Sequence, residues 1–308
     1  NSVSDSDGDD LVNITNWYKN NVSTTLLYMP FEGNGNEANN ATDYSGYGNN
    51  GTVIGATWNR TGGKIGGGYE FDGEENYILA TSNTLKILNN FTILFWAKTD
   101  ETLSEESNAW FSGVGNDNED FGIGWQGWSD GWSVEFYNSS YDRLVTDSVD
   151  IYVNVDTWYH IAGVYDGSYL RLYVNGTEIS STNVGSHSNI ATDQGVIIGG
   201  YRNVYWNGSI DEVRIYNHTL SPEQIWANYQ AGLAGKSSNQ ISLNETSLDD
   251  EWYCQVTIND GYIDSTTLNS SSVTIINNAP NKPTLITPTE GNFTGHDRST
   301  FFDWNSTD

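Results

Sequence analysis

Trp158-Tyr-His-Ile-Ala-Gly-Val-Tyr165 runs through Asp166-Gly167 into Tyr169-Leu-Arg-Leu-Tyr-Val174, and through Asn175-Gly176 into Thr177-Glu-Ile179. Leu170, Leu172 and Val174 alternate with Arg171 and Tyr173, the period-2 pattern of a strand with one buried face. Asn-Gly between two such runs is the strongest short-range hairpin signal, because both turn residues take positive φ. Three antiparallel strands in succession are the unit from which the rest of the chain is read.

Outward from this unit the pattern repeats. Phe91-Thr-Ile-Leu-Phe-Trp96, Val196-Ile-Ile-Gly199 and Ile210-Asp-Glu-Val-Arg-Ile-Tyr216 all read as strands rich in aromatic and β-branched residues. Ile210 is out of phase with Val213 and Ile215, which predicts a bulge or an edge adjustment near Asp211. One helix stands out. Ser221 is its N-cap, Pro222 its first residue and Gln224 its capping-box residue, with Ile225, Trp226 and Tyr229 at helical spacing and Gly232 and Gly235 at its end. Short strands with regular turns predict an all-β sandwich or jelly roll.

Composition narrows the function classes. The 308 residues hold 40 acidic and 12 basic side chains, a net charge of −28. Twelve scattered cations supply neither a phosphate-tracking patch nor an anchor for anionic lipid, so nucleic acid and membrane surfaces are excluded as partners. No apolar run reaches the length of a membrane span. Nor is a signal peptide read at the start, so the chain reads as a mature segment or an excised piece. Aromatics at 13% exclude a disordered acidic tail. The acidity itself has three readings: a solvated secreted surface, adaptation to salt, or a surface that collects divalent cations.

Asparagine points to the compartment. The 37 Asn and 60 Ser plus Thr would give roughly 7 Asn-x-Ser/Thr sequons by chance. The chain has 14, at Asn13, Asn21, Asn40, Asn50, Asn59, Asn90, Asn138, Asn175, Asn207, Asn217, Asn244, Asn269, Asn292 and Asn305. Turn chemistry accounts for Asn50, Asn175 and Asn207, each followed by Gly. The remaining excess predicts a secreted, N-glycosylated protein at the cell surface.

Eight blocks in order carry a family resemblance. They are Leu27-Tyr-Met-Pro-Phe-Glu32, Asp43-Tyr-Ser-Gly-Tyr-Gly-Asn-Asn-Gly51, Gly63-Lys-Ile-Gly-Gly-Gly-Tyr-Glu-Phe-Asp-Gly73, Phe91 to Trp96, Trp158-Tyr-His160, Leu172-Tyr-Val-Asn-Gly176, Gly208 to Tyr216, and Leu220-Ser-Pro-Glu223. The segment 25–235 resembles the laminin-G-like, concanavalin A-like jelly-roll family. That resemblance implies a two-sheet sandwich with one short C-terminal helix. It also implies a structural Ca²⁺ where the strand before the helix meets the N-terminal segment, which points to Asp211 and the Glu32-Gly33-Asn34 turn, with Asp43 a weaker candidate. Ca²⁺ takes six to eight oxygens from carboxylates, amides and carbonyls, and those residue types supply them. Asp5, Asp7, Asp9 and Asp10 offer a second acidic loop, which lacks the trailing Glu of an EF-hand.

The flanks read as a different unit. Asp5 to Tyr18 is an acidic loop followed by a strand carrying Trp17. Asp249-Asp-Glu-Trp-Tyr-Cys-Gln-Val256 resembles the F strand of immunoglobulin-like repeats, with Asn259-Asp-Gly261 as a hairpin turn. Residues 1–24 and 236–276 are thus expected to form one discontinuous immunoglobulin-like domain, its first strands missing, with the jelly roll 25–235 inserted in a loop. Residues 277–308 read as a linker and the opening strands of another repeat. The organisation resembles that of large extracellular surface proteins, archaeal ones included. Cys254, the single cysteine, sits where an F-strand Cys pairs across an immunoglobulin core, and no second Cys exists.

Catalytic patterns are not found. Related β-glucanases carry a Glu-x-Asp-x-Glu stretch, and glycoside hydrolysis needs such paired carboxylates. This sequence has none, and Glu105-Glu106 and Glu119-Asp120 read as solvated loop charge. His160, His187, His218 and His296 lack zinc spacing, and His160 reads as structural. Gly62 to Gly68 reads as a bend. For sugar binding, Trp125, Trp128 and Trp132 lie in a Gly-rich stretch with Gln126 and Asp130 as polar partners, and Tyr201, Tyr205 and Trp206 form a second aromatic cluster. Exposed indoles stack on sugar faces; the competing reading places these rings in the core. The expected function is a non-enzymatic structural or adhesive module of a repetitive cell-surface or filament protein. The alternative is a Ca²⁺-dependent, lectin-like module. Expected partners are copies of the chain or neighbouring repeats, joined by strand addition through Thr284 to Trp304, and glycans.

Overall fold

The computed structural model describes residues 10–82, 84–85, 89–103, 109–113, 121–126, 131–137, 142–146, 153–187, 195–201 and 204–276. Two eight-stranded antiparallel sheets form a sandwich. The first runs Thr177–Asn183, Tyr169–Val174, Trp158–Tyr165, Phe91–Thr99, Asn207–Tyr216, Gly68–Asp72 and Thr57–Asn59, with Leu27–Met29 also paired to Asn207–Tyr216. The second runs Arg143–Val145, Gly131–Tyr137, Phe121–Gln126, Ala109–Gly113, Val196–Ile198, Tyr77–Ala80, Gly51–Ile54 and Asn40–Ala41.

The main core lies between the sheets. Phe91, Ile93, Phe95 and Ala97 point into it, facing Ile123, Val134 and Phe136 of the second sheet. The alternate residues Leu94 and Trp96 are also buried, because the helix Pro222–Leu233 covers the other side of the first sheet. A strand buried on both faces reads as a near-continuous apolar run, and Phe91 to Trp96 is one, interrupted only by Thr92. Asn175 and Gly176 take φ of 51° and 76°, the hairpin turn expected of Asn-Gly.

Helix capping follows the sequence at both ends, with one correction. Ser221 accepts from the Gln224 amide at 3.2 Å. At the other end, Gly235 takes φ 67°, while the Gly235 and Lys236 amides donate to the Gly232 and Ala231 carbonyls. Gly235 alone therefore terminates the helix. Gly232 lies within it and lets Trp96 approach. Ile225 is fully buried, whereas Trp226 is 48% exposed.

A separate five-stranded sheet joins the flanks. Val12–Lys19 pairs antiparallel with Glu251–Asn259 over eight residues, from Val12 opposite Asn259 to Lys19 opposite Trp252. Trp17 and Cys254 are register partners. Val22–Ser23, Leu268–Asn269 and Val273–Thr274 complete this sheet. Ile14, Asn16, Thr257 and Asn259 share one face of it by register and are all buried. Leu268 and Val273, opposite Val256 and Trp252, are 66% and 61% exposed.

Candidate metal centre and the aromatic residues

Asn207–Tyr216 positions the charged residues. Its pairing with Phe91–Thr99 slips between Asp211 and Arg214, and Glu212 takes φ 53°. The phase break at Ile210 anticipated this bulge. Two residues, Glu212 and Val213, oppose one, so Asp211 and Glu212 stand side by side on the helix-facing side while Ile210, Val213 and Ile215 keep the core. All three charged groups, Asp211, Glu212 and Arg214, are at least 95% buried.

Arg214 answers Glu212 at 2.8 Å. The guanidinium also lies 4.0 Å from the centre of the Tyr28 ring and donates to Ser237 Oγ at 2.9 Å. Tyr28 and Ser237 hydrogen-bond each other. This network ties the chain after the helix to the first sheet. Burial raises the Glu212 carboxyl, and Arg214 pulls it back.

Asp211 and Glu32 lack such a partner. They bracket the Gly63–Gly67 turn. Asp211 Oδ2 accepts from the Ile65 amide at 2.9 Å, and its Oδ1 accepts from the Glu212 amide at 2.7 Å. Glu32 Oε2 accepts from the Gly67 amide at 3.0 Å, while its buried Oε1 has no hydrogen-bond partner. A Cβ on Gly63 would lie 2.9 Å from Asp211 Oδ2, and one on Gly66 (φ 54°) would collide with the Glu32 carboxylate. The glycines are there so that backbone can approach both acids. Burial pushes the Glu32 carboxyl up to about 8 against the pull of the Gly67 hydrogen bond. Burial, then the neighbouring Glu212 and Glu32, holds Asp211 well above the ordinary carboxylate range. Lys64 is the nearby cation; its ammonium lies 4.8 Å from the centre of the Trp96 ring.

Two acids that ionise only at a penalty, one with an orphaned oxygen, fit a hard cation that takes its further oxygens from backbone and water. Among the described residues no group of three or more His, Cys, Asp or Glu side chains is disposed around one metal ion. The other expected ligands fall away. Asp43 accepts four hydrogen bonds, two on each oxygen, from the Tyr28, Ser45 and Asn49 amides and the Ser45 hydroxyl, where Asp211 accepts one on each, so Asp43 organises a turn. Asn34 is drawn into its own loop, its side-chain amide on Thr42 Oγ1 and its backbone amide on Glu37 Oε1. Asp5, Asp7 and Asp9 lie outside the described residues. The Gly63–Gly67 cradle, read from sequence as a bend, escaped detection because Gly-Lys-Ile-Gly-Gly carries no side-chain ligand.

Of the two readings of Trp125, Trp132 and Trp206, the sugar platform is corrected in favour of the core. They are 4%, 2% and 3% exposed and belong to the main core. Trp125 meets Trp132 edge-on at 6.3 Å, and Trp132 lies 6.1 Å from Trp206. Rings sealed between sheets cannot stack on a sugar. Tyr205 is half-buried and stacks on Tyr77 at 6.5 Å. Trp128, Asp130 and the side chains of Gln126 and Tyr201 lie outside the described residues. His160 is fully buried between Trp96 and Tyr229 with neither ring nitrogen hydrogen-bonded. Burial first, then Arg214, lowers its pKa to about 3, so it is neutral packing.

Of the described sequon asparagines, Asn13, Asn21, Asn50, Asn217, Asn244 and Asn269 are exposed. Asn40, Asn59, Asn90, Asn175 and Asn207 are half-buried. Asn138, Asn292 and Asn305 lie outside the described residues.

A family model described as the concanavalin A-like lectin/glucanases superfamily matches residues 72–226. No curated protein sequence matches significantly. Similar solved structures include domain 4 of AbnA, a GH43 extracellular arabinanase from Geobacillus stearothermophilus, in complex with arabinotriose. It is 22% identical with a TM-score of 0.50, covering 60% of this chain and 90% of that one. The binding domain of Paraclostridial Mosquitocidal Protein 1 is 17% identical with a TM-score of 0.53, covering 67% and 52%. The botulinum neurotoxin serotype D ligand binding domain in complex with N-acetylneuraminic acid is 16% identical with a TM-score of 0.53, covering 67% and 50%. This chain thus spans about half the length of those two toxin domains. At these identities the likeness is one of fold. No helix among the described residues is long and apolar enough to cross a membrane.

Proposed function

Because this chain belongs to the concanavalin A-like lectin/glucanases superfamily, we propose that it is a non-enzymatic structural and adhesive module of an extracellular, repetitive surface protein. The observation that carries this reading is the flank sheet. Val12–Lys19 and Glu251–Asn259 pair although the whole jelly roll lies between them. Such pairing suits a domain inserted into a loop of a second, immunoglobulin-like unit whose own face stays open toward a neighbour. Further copies or adjoining repeats are the partners this reading assigns, with Thr284 to Trp304 as the donated strands.

Glu32 and Asp211 would hold a structural Ca²⁺. Bound there, it supplies the positive charge that two desolvated carboxylates require. The residues themselves fix the N-terminal turn and the Gly63–Gly67 turn against the bulged strand. The N-glycans belong on the exposed sequons of this secreted surface.

Sugar recognition is the second reading, favoured by the arabinotriose and N-acetylneuraminic acid bound by similar folds. A glycan array probed with and without Ca²⁺ separates the two. Silence across all glycans is expected. Saturable binding to one glycan class would replace adhesion between repeats with lectin activity, and turnover of a β-glucan would overturn both.

A further inference from the structure

The turn that carries Glu32 also holds the flank sheet. Asn259, fully buried at the end of Glu251–Asn259, donates its side-chain amide to the Gly33 carbonyl at 2.5 Å. A Cβ on Gly33 would lie 2.6 Å from the Gly261 carbonyl oxygen and 2.7 Å from the Trp58 ring. Trp58 in turn donates to the Phe31 carbonyl at 2.8 Å, and Phe31 takes φ 59°. So Phe31-Glu32-Gly33 is clamped between the Gly63–Gly67 turn on one side and the 259–264 hairpin on the other. Two flanking contacts reach the same hairpin: Tyr44 donates to Asp264 at 2.7 Å, and Arg60 donates to the Asp260 carbonyl at 2.9 Å.

We infer that a divalent cation on Glu32 and Asp211 governs how firmly the 251–264 hairpin is docked on the jelly roll. The inference rests on the cation site proposed above. Without a cation nothing draws the two acids together in a dry site, where an ionised pair repels. Asp211 cannot give way, because its strand is paired on both sides. Glu32 can, since it follows the three-residue strand Leu27–Met29 and lies in an irregular turn. Movement of Glu32 carries the Gly33 carbonyl away from Asn259. Cation binding and hairpin docking are then coupled, and linkage makes the coupling reciprocal.

The test is hydrogen exchange of the whole chain, read peptide by peptide, in Ca²⁺ and in EDTA, with Ca²⁺ affinity measured in parallel by calorimetry. EDTA should raise exchange across 251–264 by about tenfold or more while the central strands 91–99 and 158–165 stay protected. Glu32→Gln in Ca²⁺ should exchange like the wild type in EDTA. Asn259→Ala, which leaves both acids in place, should weaken Ca²⁺ binding by the same factor by which Ca²⁺ protects the hairpin. A wild-type chain that binds no Ca²⁺ overturns the cation site and this inference together. Tight Ca²⁺ binding with unchanged exchange at 251–264, or with unchanged affinity in Asn259→Ala, overturns the coupling alone.

Discussion

Gly232 and Trp96 meet at a separation only glycine permits: a Cβ at position 232 would sit 2.5 Å from the indole Cζ2. The ring is pinned there by His160 at 5.3 Å and Tyr229 at 5.8 Å, so it has nowhere to move. Gly232→Ala should gain about 1 kcal/mol of helix propensity and lose about 1–3 kcal/mol to overpacking. Net destabilisation is the expected result of chemical denaturation. A more stable variant would mean that Trp96 repacks freely.

Ca²⁺ that binds only the folded state raises stability with the logarithm of its concentration. The melting temperature should fall by several degrees in EDTA, and Asp211→Ala should remove most of that response. Equal Ca²⁺ titrations for the two proteins would dissociate Asp211 from the site.

His160 makes stability depend on acid. Its pKa is lowered to about 3 in the folded state, well below that of an unfolded histidine. The unfolded chain therefore takes up a proton first as pH falls, and the contribution present above about pH 6.5 is lost progressively toward pH 3. His160→Phe keeps the packing and removes the titration. It should match the wild type near pH 8 and exceed it by about 2 kcal/mol at pH 5. Denaturation curves at the two pH values check this.

Glycan occupancy should follow exposure. Peptide mapping of the natively produced protein should find sugar at Asn13, Asn21, Asn50, Asn217, Asn244 and Asn269. Asn59 should be bare, because its side-chain amide donates to Glu70 at 2.7 Å. A glycan on Asn59 would require that bond to open.

Self-association should depend on residues 281–308. Leu268, Val273 and Ile276 are 66%, 61% and 65% exposed along one edge of the flank sheet, which leaves apolar surface for a neighbour's strands. The intact chain is expected to assemble at high concentration and the chain truncated after Pro280 to remain monomeric, as read by light scattering and electron microscopy. Ordered filaments from the truncated chain would exclude the tail as donor.

Much of the fold was legible because its signals are local. Asn175-Gly176 dictates its own turn, Ser221 and Gly235 cap their own helix, and the phase break at Ile210 reports a bulge within a few residues. The acids of the candidate site were legible only as isolated positions. What brings Asp211 to Glu32 is a glycine turn whose contribution is backbone, which leaves no side-chain pattern. The tryptophans stayed undecided for a related reason. Trp125 and Trp132 alternate with small residues as either a core face or an exposed platform would, and only the second sheet decides between them. The Asn259–Gly33 bond spans 226 positions and has no local signature at all.

The register of the flank sheet has a mechanical consequence. Tension drawn on the chain ahead of Val12 and behind Thr274 pulls at opposite ends of the sheet, since Val12 lies beside Asn259 and Thr274 beside Glu251. The hydrogen bonds between these strands are then loaded in shear, along the strand axis and many at once, rather than unzipped one by one. Everything from Thr24 to Asp250 hangs outside that load path as a closed loop. A stretched array of such units would carry force through its narrow stems while each jelly roll stayed slack.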